Sequence, residues 1–88
     1  MHPAVIVTRQ VAIPLLANVA VVLVTSTIRG IPTEVPVGVR HGLDHDSVVN
    51  CDNIVTVRKA RLIRYRGRLA STEVVRLNHA LRIALELD

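Results

Sequence analysis

The sequence predicts a mostly β, α+β fold: a small, strongly bent sheet or barrel capped by one C-terminal helix. Three observations lead there. Half of the 88 residues are hydrophobic, yet Tyr65 is the sole aromatic, and a core of Val, Ile and Leu favours strands. Short apolar stretches separated by Pro, Gly and polar clusters fill most of the chain, whereas helical spacing is clear only near its end. The length suits a single domain, residues 1–88, whose core leaves a modest stability margin, so that help from a partner subunit is expected.

"AVIVT", Ala4 to Thr8, reads as a short strand started after Pro3, because proline sits at a strand's beginning or edge. "RQVAIPLLAN" is a connection of unassigned form. "VAVVLVT", Val19 to Thr25, lacks polar alternation and is expected to be a strand buried on both faces. "RGIP" makes a turn into "TEVPVG", a strand that Pro36 places at an edge or bulge. "VRHGLDHD" is a loop, and two further short strands follow, "SVVNC" and "NIVTV". The last element is a helix from about Thr72 to Leu87. Ser71 is its expected N-cap, Glu73 lies where the helix dipole favours an acid, and Val74, Leu77, Leu81, Ala84 and Leu85 form its apolar stripe.

Net charge is +4, which points weakly to an acidic or polyanionic partner. Cys51 is the only cysteine, so the chain has no internal disulfide or cysteine zinc site, and a reducing compartment is expected. The uncharged stretch Gln10 to Ile28 approaches the roughly 18 residues of a spanning helix, but Pro14, Asn18 and the hydroxyls at its end interrupt it. Neither a membrane segment nor a signal peptide is expected, the N-terminus lacking a basic region before its first apolar run.

Candidate sites are few. His41, Asp44, His45 and Asp46 fall within "HGLDHD", where the flanking glycines favour a solvated loop over a metal site. His79 reads as a half-buried surface residue of the helix. Arg58, Lys59, Arg61, Arg64, Arg66 and Arg68 make six of eleven basic residues. Such a row can track a phosphate backbone or grip an acidic tail, and it can equally be a solvated edge strand whose charges prevent aggregation. At the end of the long apolar run, Thr25, Ser26 and Thr27 precede Arg29. On spacing alone these hydroxyls read first as a strand end bonding its own backbone. Likewise Asp52 reads as a turn residue ahead of Asn53, and Cys51 as a small buried residue.

"TSTIRGIPTEVPVG", then "DSVVNCDNI", then the terminal helix resemble, in that order, the MazF/PemK/Kid toxins of type II toxin-antitoxin systems. The resemblance runs from about His2 to Leu87. It implies an SH3-like small barrel of the MazF/CcdB/Kid type, assembled as a homodimer in the cytoplasm. It also implies an endoribonuclease that cuts single-stranded RNA at short sequences with no metal or other cofactor, and is inhibited by a MazE-like antitoxin with an acidic C-terminal tail. A ribose 2′-OH would attack the adjacent phosphate, which requires a base, an acid for the leaving oxygen and donors for the charged phosphorane.

Carried over by position, the resemblance implies catalytic roles for Thr25 and Asp52. Ser26 and Asn50 fall on positions of RNA-contacting residues, and Thr27 and Arg29 beside the hydroxyls, with Arg58 and Lys59 from the basic stretch, are further expected RNA contacts. Family members mostly begin with a further strand and loop ending in Arg-Pro; here the chain opens on His2-Pro3, so an N-terminally shortened form is expected. His2 then stands in the place of the catalytic arginine, able to shuttle protons but not to act as an obligate cation. Two alternatives accompany this reading. One is a catalytically weakened module that still binds antitoxin or RNA. The other is a CcdB-like gyrase poison, disfavoured because "TSTIRG" and "VVNCDN" resemble the RNA-cleaving branch.

Overall fold

The computed structural model describes residues 3–62 and 67–87. Four antiparallel strands, β1 (Ala4–Ile6), β2 (Asn18–Thr25), β3 (Glu34–Val37) and β4 (Ser47–Arg58), form one sheet in the order β1-β2-β4-β3. Among the described residues one α-helix, α1 (Ser71–Ala84), packs on β3 and β4. The expectation of a bent sheet with a C-terminal helix is met. Among the described residues no helix is long and apolar enough to cross a membrane.

β4 corrects one expectation. The segments "SVVNC" and "NIVTV" are halves of one continuous strand, not two strands. The strand stays extended through Asp52 and Asn53 with pairing on both sides of them: Glu34 pairs with Asn50, the Cys51 N–H donates to the Thr33 carbonyl at 2.9 Å, and pairing with β2 resumes at Ile54. Opposite β2 the strand is irregular there. Val22 pairs with Ile54 but Val24 with Val49, so Leu23 alone faces residues 50–53. A bulge of this kind bends a strand and re-aims its side chains. The sheet therefore curls at Asn50 to Asn53, which places the polar part of "VVNCDN" on the bend.

β2 forms from a β-branched run, and Val19, Val21, Val22 and Val24 are all buried. Val22, Val24, Val35, Val37, Val49 and Cys51 meet Leu77 and Ala80 of α1 in the main core. Stiff valine rotamers pack the pleated side, and the helix supplies a larger side chain and a small one. β3 is an edge strand, as Pro36 foretold, since its other flank need not donate at that position. The connection 9–17 contains a short 3-10 turn, Ile13–Leu15, held by Lys59, whose Nζ donates to the Ile13 carbonyl at 2.8 Å.

The helix differs from expectation in cap and face. Ala70, not Ser71, is the N-cap, and Glu73 reaches back to accept the Ala70 N–H at 2.8 Å. This is the second half of a capping box without a side-chain acceptor at its first position. Glu73, Leu77 and Ala80 are the buried positions, while Val74 and Leu85 of the expected stripe are exposed. The cause is Glu73. Its Oε2 accepts from Arg40 and lies 2.6 Å from the His41 Nε2, turning that side of the helix inward.

His41 is accordingly not a solvated loop residue but a buried one, at the end of the 3-10 turn Val39–His41. Its Nδ1 accepts the Gly38 N–H at 3.0 Å, which leaves Nε2 as the protonated nitrogen that donates to Glu73. Both ring nitrogens are thereby engaged, Nδ1 within the loop and Nε2 in holding the helix to it. His79 is exposed rather than half-buried.

Candidate RNA-cleavage site

The site begins where β2 runs out. Thr25, half-buried, pairs with Val48, and Ser26, Thr27, Ile28 and Arg29 beyond it are exposed. The Thr27 N–H donates to the Thr25 Oγ1 at 3.1 Å. That bond is the local strand-end contact expected of a hydroxyl. It also occupies an acceptor site of Oγ1, so the hydroxyl proton is free to donate to an outside oxygen. The chain then turns: Gly30 takes φ 72, in the left-handed region, and the Glu34 N–H donates to the Ile31 carbonyl at 3.0 Å across Pro32 and Thr33. Proline in the second position of a four-residue turn pre-sets that bend.

Asp52 is exposed on the bend of β4. Its Oδ2 accepts from the Thr33 hydroxyl at 2.6 Å, and its N–H donates to the Asn50 Oδ1 at 3.0 Å. Asn50 thus spends its carbonyl oxygen on shaping the bend and keeps its amide hydrogens as donors. Cys51, between them, points into the core. Burial, with the charge of Asp52 as the lesser cause, pushes its thiol from 9.0 up to about 11, so it is no nucleophile at neutral pH.

Of the residues expected at the site, Thr25, Ser26, Thr27 and Arg29 form one loop, and Asn50 and Asp52 sit on the β4 bend stitched to that loop's return. Arg58 and Lys59 belong elsewhere. Arg58 pairs with Asn18 at the start of β2, and the Lys59 ammonium is engaged with Ile13. Six residues of strand, roughly 20 Å at about 3.3 Å each, separate Asp52 from Arg58. One continuous basic and hydroxylic patch is therefore not what the fold builds within this chain. His2, Arg64 and Arg66 lie outside the described residues.

Sequence reasoning missed Thr33 and Glu34, both buried polar residues at the entry to β3. The Glu34 carboxylate accepts the Gly30 N–H at 2.8 Å and the Arg29 N–H at 3.0 Å. A signal existed in "RGIPTE": a turn needs acceptors for its backbone N–H groups, and an acidic residue four positions after the glycine can reach them.

The sequence profile of the PemK-like, MazF-like toxins of type II toxin-antitoxin systems matches residues 1–85. The chain belongs to this family. Among curated PemK/MazF relatives, "Endoribonuclease MazF3" of Mycobacterium tuberculosis is 43% identical over 87 residues, covering 99% of this chain and 84% of that protein. The solved Mycobacterium tuberculosis toxin MazF-mt6 superposes with a TM-score of 0.95 at 42% identity, over 99% of this chain and 88% of the other. An endoribonuclease from a mycobacterial species, solved in complex with its cognate antitoxin, has a TM-score of 0.88 at 36% identity, over 99% and 82% of the two chains. The curled sheet and C-terminal helix are thus those of the PemK/MazF toxins, and the fold implied by the sequence resemblance holds.

Proposed function

We propose that this chain is the toxin of a type II toxin-antitoxin system, a sequence-specific endoribonuclease that cuts single-stranded RNA without a metal and so arrests translation and growth. One observation carries the reading: β2 ends in a hydroxyl loop, Thr25 to Thr27 with Arg29, whose return turn is bonded through Thr33 to the exposed carboxylate of Asp52. The names of the relatives support the activity.

In this reading the free oxygen of Asp52 takes the proton of the ribose 2′-OH, whose oxygen then attacks the neighbouring phosphorus. The P–O5′ bond breaks, leaving a cyclic phosphate and, once the departing oxygen is protonated, a 5′-OH. Thr25 donates to a non-bridging oxygen, and Ser26, Thr27, Asn50 and the Arg29 guanidinium supply further donors to the charged phosphorane and the flanking strand. His2 is assigned as the acid for the leaving oxygen. Arg58 and Lys59 are assigned to more distant nucleotides.

The working form is a cytoplasmic homodimer held in check by an antitoxin with an acidic tail. A groove between Gly30, Ile31 and Pro32 and the α1 residues Val75 and Ile83, with Arg76 beside it, runs on from the hydroxyl loop. It provides apolar contacts and a cation for such a tail.

The test incubates the 88-residue chain with a long single-stranded RNA in EDTA, beside Thr25→Ala and Asp52→Ala. Cuts at one short motif, with 5′-OH ends, should appear for the wild type and vanish in both variants. RNA left whole by the wild type sinks the proposal, and cleavage that EDTA abolishes sinks its metal-free chemistry.

A further inference from the structure

Thr33 and Glu34 are each about nine-tenths buried, at 8% exposure, and their side chains bond to the candidate site. The Thr33 hydroxyl donates to the Asp52 Oδ2 at 2.6 Å, while the Thr33 carbonyl accepts the Cys51 N–H next door at 2.9 Å. One oxygen of Glu34, Oε1, accepts both the Gly30 N–H at 2.8 Å and the Arg29 N–H at 3.0 Å; its other oxygen lies 3.3 Å from the Arg29 nitrogen. Gly30, at φ 72, lets consecutive N–H groups converge on one anion, as in a backbone nest.

A buried carboxylate is a costly way to begin a strand, because an apolar side chain of similar size would avoid the desolvation. Here its compensation comes from the backbone of the loop that carries Arg29. We propose that Thr33 and Glu34 are the positioning residues of the cleavage site, two chain neighbours that lock its two halves together. Thr33 occupies one oxygen of Asp52 and leaves the other to act. Glu34 pins the Arg29–Gly30 backbone. Pairing of Glu34 with Asn50 joins the two clamps across β3 and β4. A second consequence concerns the substrate: the Arg29–Gly30 nest is already filled by the protein's own carboxylate, so RNA phosphate is left to the side chains of the loop.

The proposal rests on the reading of this surface as an RNA-cleaving site, and its test separates the two. Thr33→Val, which keeps shape and removes the hydroxyl, should lower kcat on the order of 10- to 100-fold with little change in KM; Thr33→Ser should restore it. Glu34→Ala should lower kcat similarly and also raise KM, because Arg29 is loosened. Glu34→Gln should recover most of both, since a single oxygen can accept both N–H groups.

The second readout is amide hydrogen exchange of Gly30. It should be slow in the wild type and in Glu34→Gln and faster in Glu34→Ala. If Glu34→Ala does not fold by far-UV circular dichroism, the Thr33→Val and Thr33→Ser pair decides. Thr33→Val and Glu34→Ala cutting at wild-type rates while Thr25→Ala is inactive overturns the positioning role and spares the function. If the wild type cuts nothing, the function falls together with the catalytic consequence, and unchanged Gly30 exchange in Glu34→Ala then overturns the clamp itself.

Discussion

Replacing Leu77 by alanine tests how the helix is held to the sheet. Leu77 is 5% exposed and lies in the cluster with Val22, Val24, Val35, Val37, Val49 and Cys51; Ala80 is the one other apolar residue of α1 that is fully buried. A buried leucine contributes about 1.5–3 kcal/mol by transfer alone, and the cavity left by truncation brings the loss to about 2–5 kcal/mol. Beta-branched neighbours on paired strands have little freedom to collapse into the space, which favours the upper part of that range. At 0.05–0.15 kcal/mol per residue, a chain of this size holds about 4–13 kcal/mol in all, so the substitution removes a large share. Urea unfolding at fixed protein concentration should show a lower midpoint with an unchanged slope, and Tm should fall by at least about 10 °C. Val75→Ala, at a position 68% exposed on the same helix, should stay within about 0.5 kcal/mol of wild type. A Leu77→Ala loss below about 1 kcal/mol, or one no larger than that of Val75→Ala, refutes this account of helix docking.

Four further outcomes are expected. The Ala70 N–H, working against burial and joined by His41 and Arg40, holds the Glu73 carboxyl below its usual 4.5; its stabilising contribution is therefore complete above about pH 4.5 and lost as pH falls through the lower folded value. Urea midpoints measured between about pH 3 and 6 should accordingly depend less on pH in Glu73→Gln than in wild type, and equal slopes would remove Glu73 from the account. Cys51, its thiol raised to about 11 chiefly by burial, has roughly 0.1% thiolate at pH 8. A disulfide reagent should react with it slowly in the native protein and quickly in urea, and Asp52→Asn should not unmask it. Gly67→Ala would set a Cβ 2.5 Å from the His41 carbonyl oxygen, and is expected to cost about 1–3 kcal/mol in thermal unfolding. Gly30→Ala meets no neighbour within 4 Å, so its cost is conformational, from φ +72, and should be near 1 kcal/mol.

Elements whose cause is local could be read from the residues alone. A β-branched run without polar alternation made β2, Pro36 marked the edge, and helical spacing near the end made α1. The ordered motifs from Thr25 to Gly38 and from Asp46 to Ile54 were sufficient for the family, and with it the hydroxyl loop and Asp52 as candidates. Features that depend on partners far along the chain emerged only in the packed fold. Whether "SVVNCDNIVTV" was one strand or two rested on its neighbours β2 and β3, which flank β4 because the sheet order is β1-β2-β4-β3. The rotation of α1 rested on Glu73 meeting Arg40 and His41, more than thirty residues earlier. Arg58 and Lys59 looked close to Asp52 in sequence, but an extended strand carries them away from it, and the proposed role of Thr33 exists only because the entry to β3 lies beside Asp52 of β4. The physical reason is common to all of these. Propensity and periodicity act within a few residues of backbone, whereas the partners of a buried carboxylate, imidazole or hydroxyl are chosen by strand pairing, and burial makes those partners obligatory.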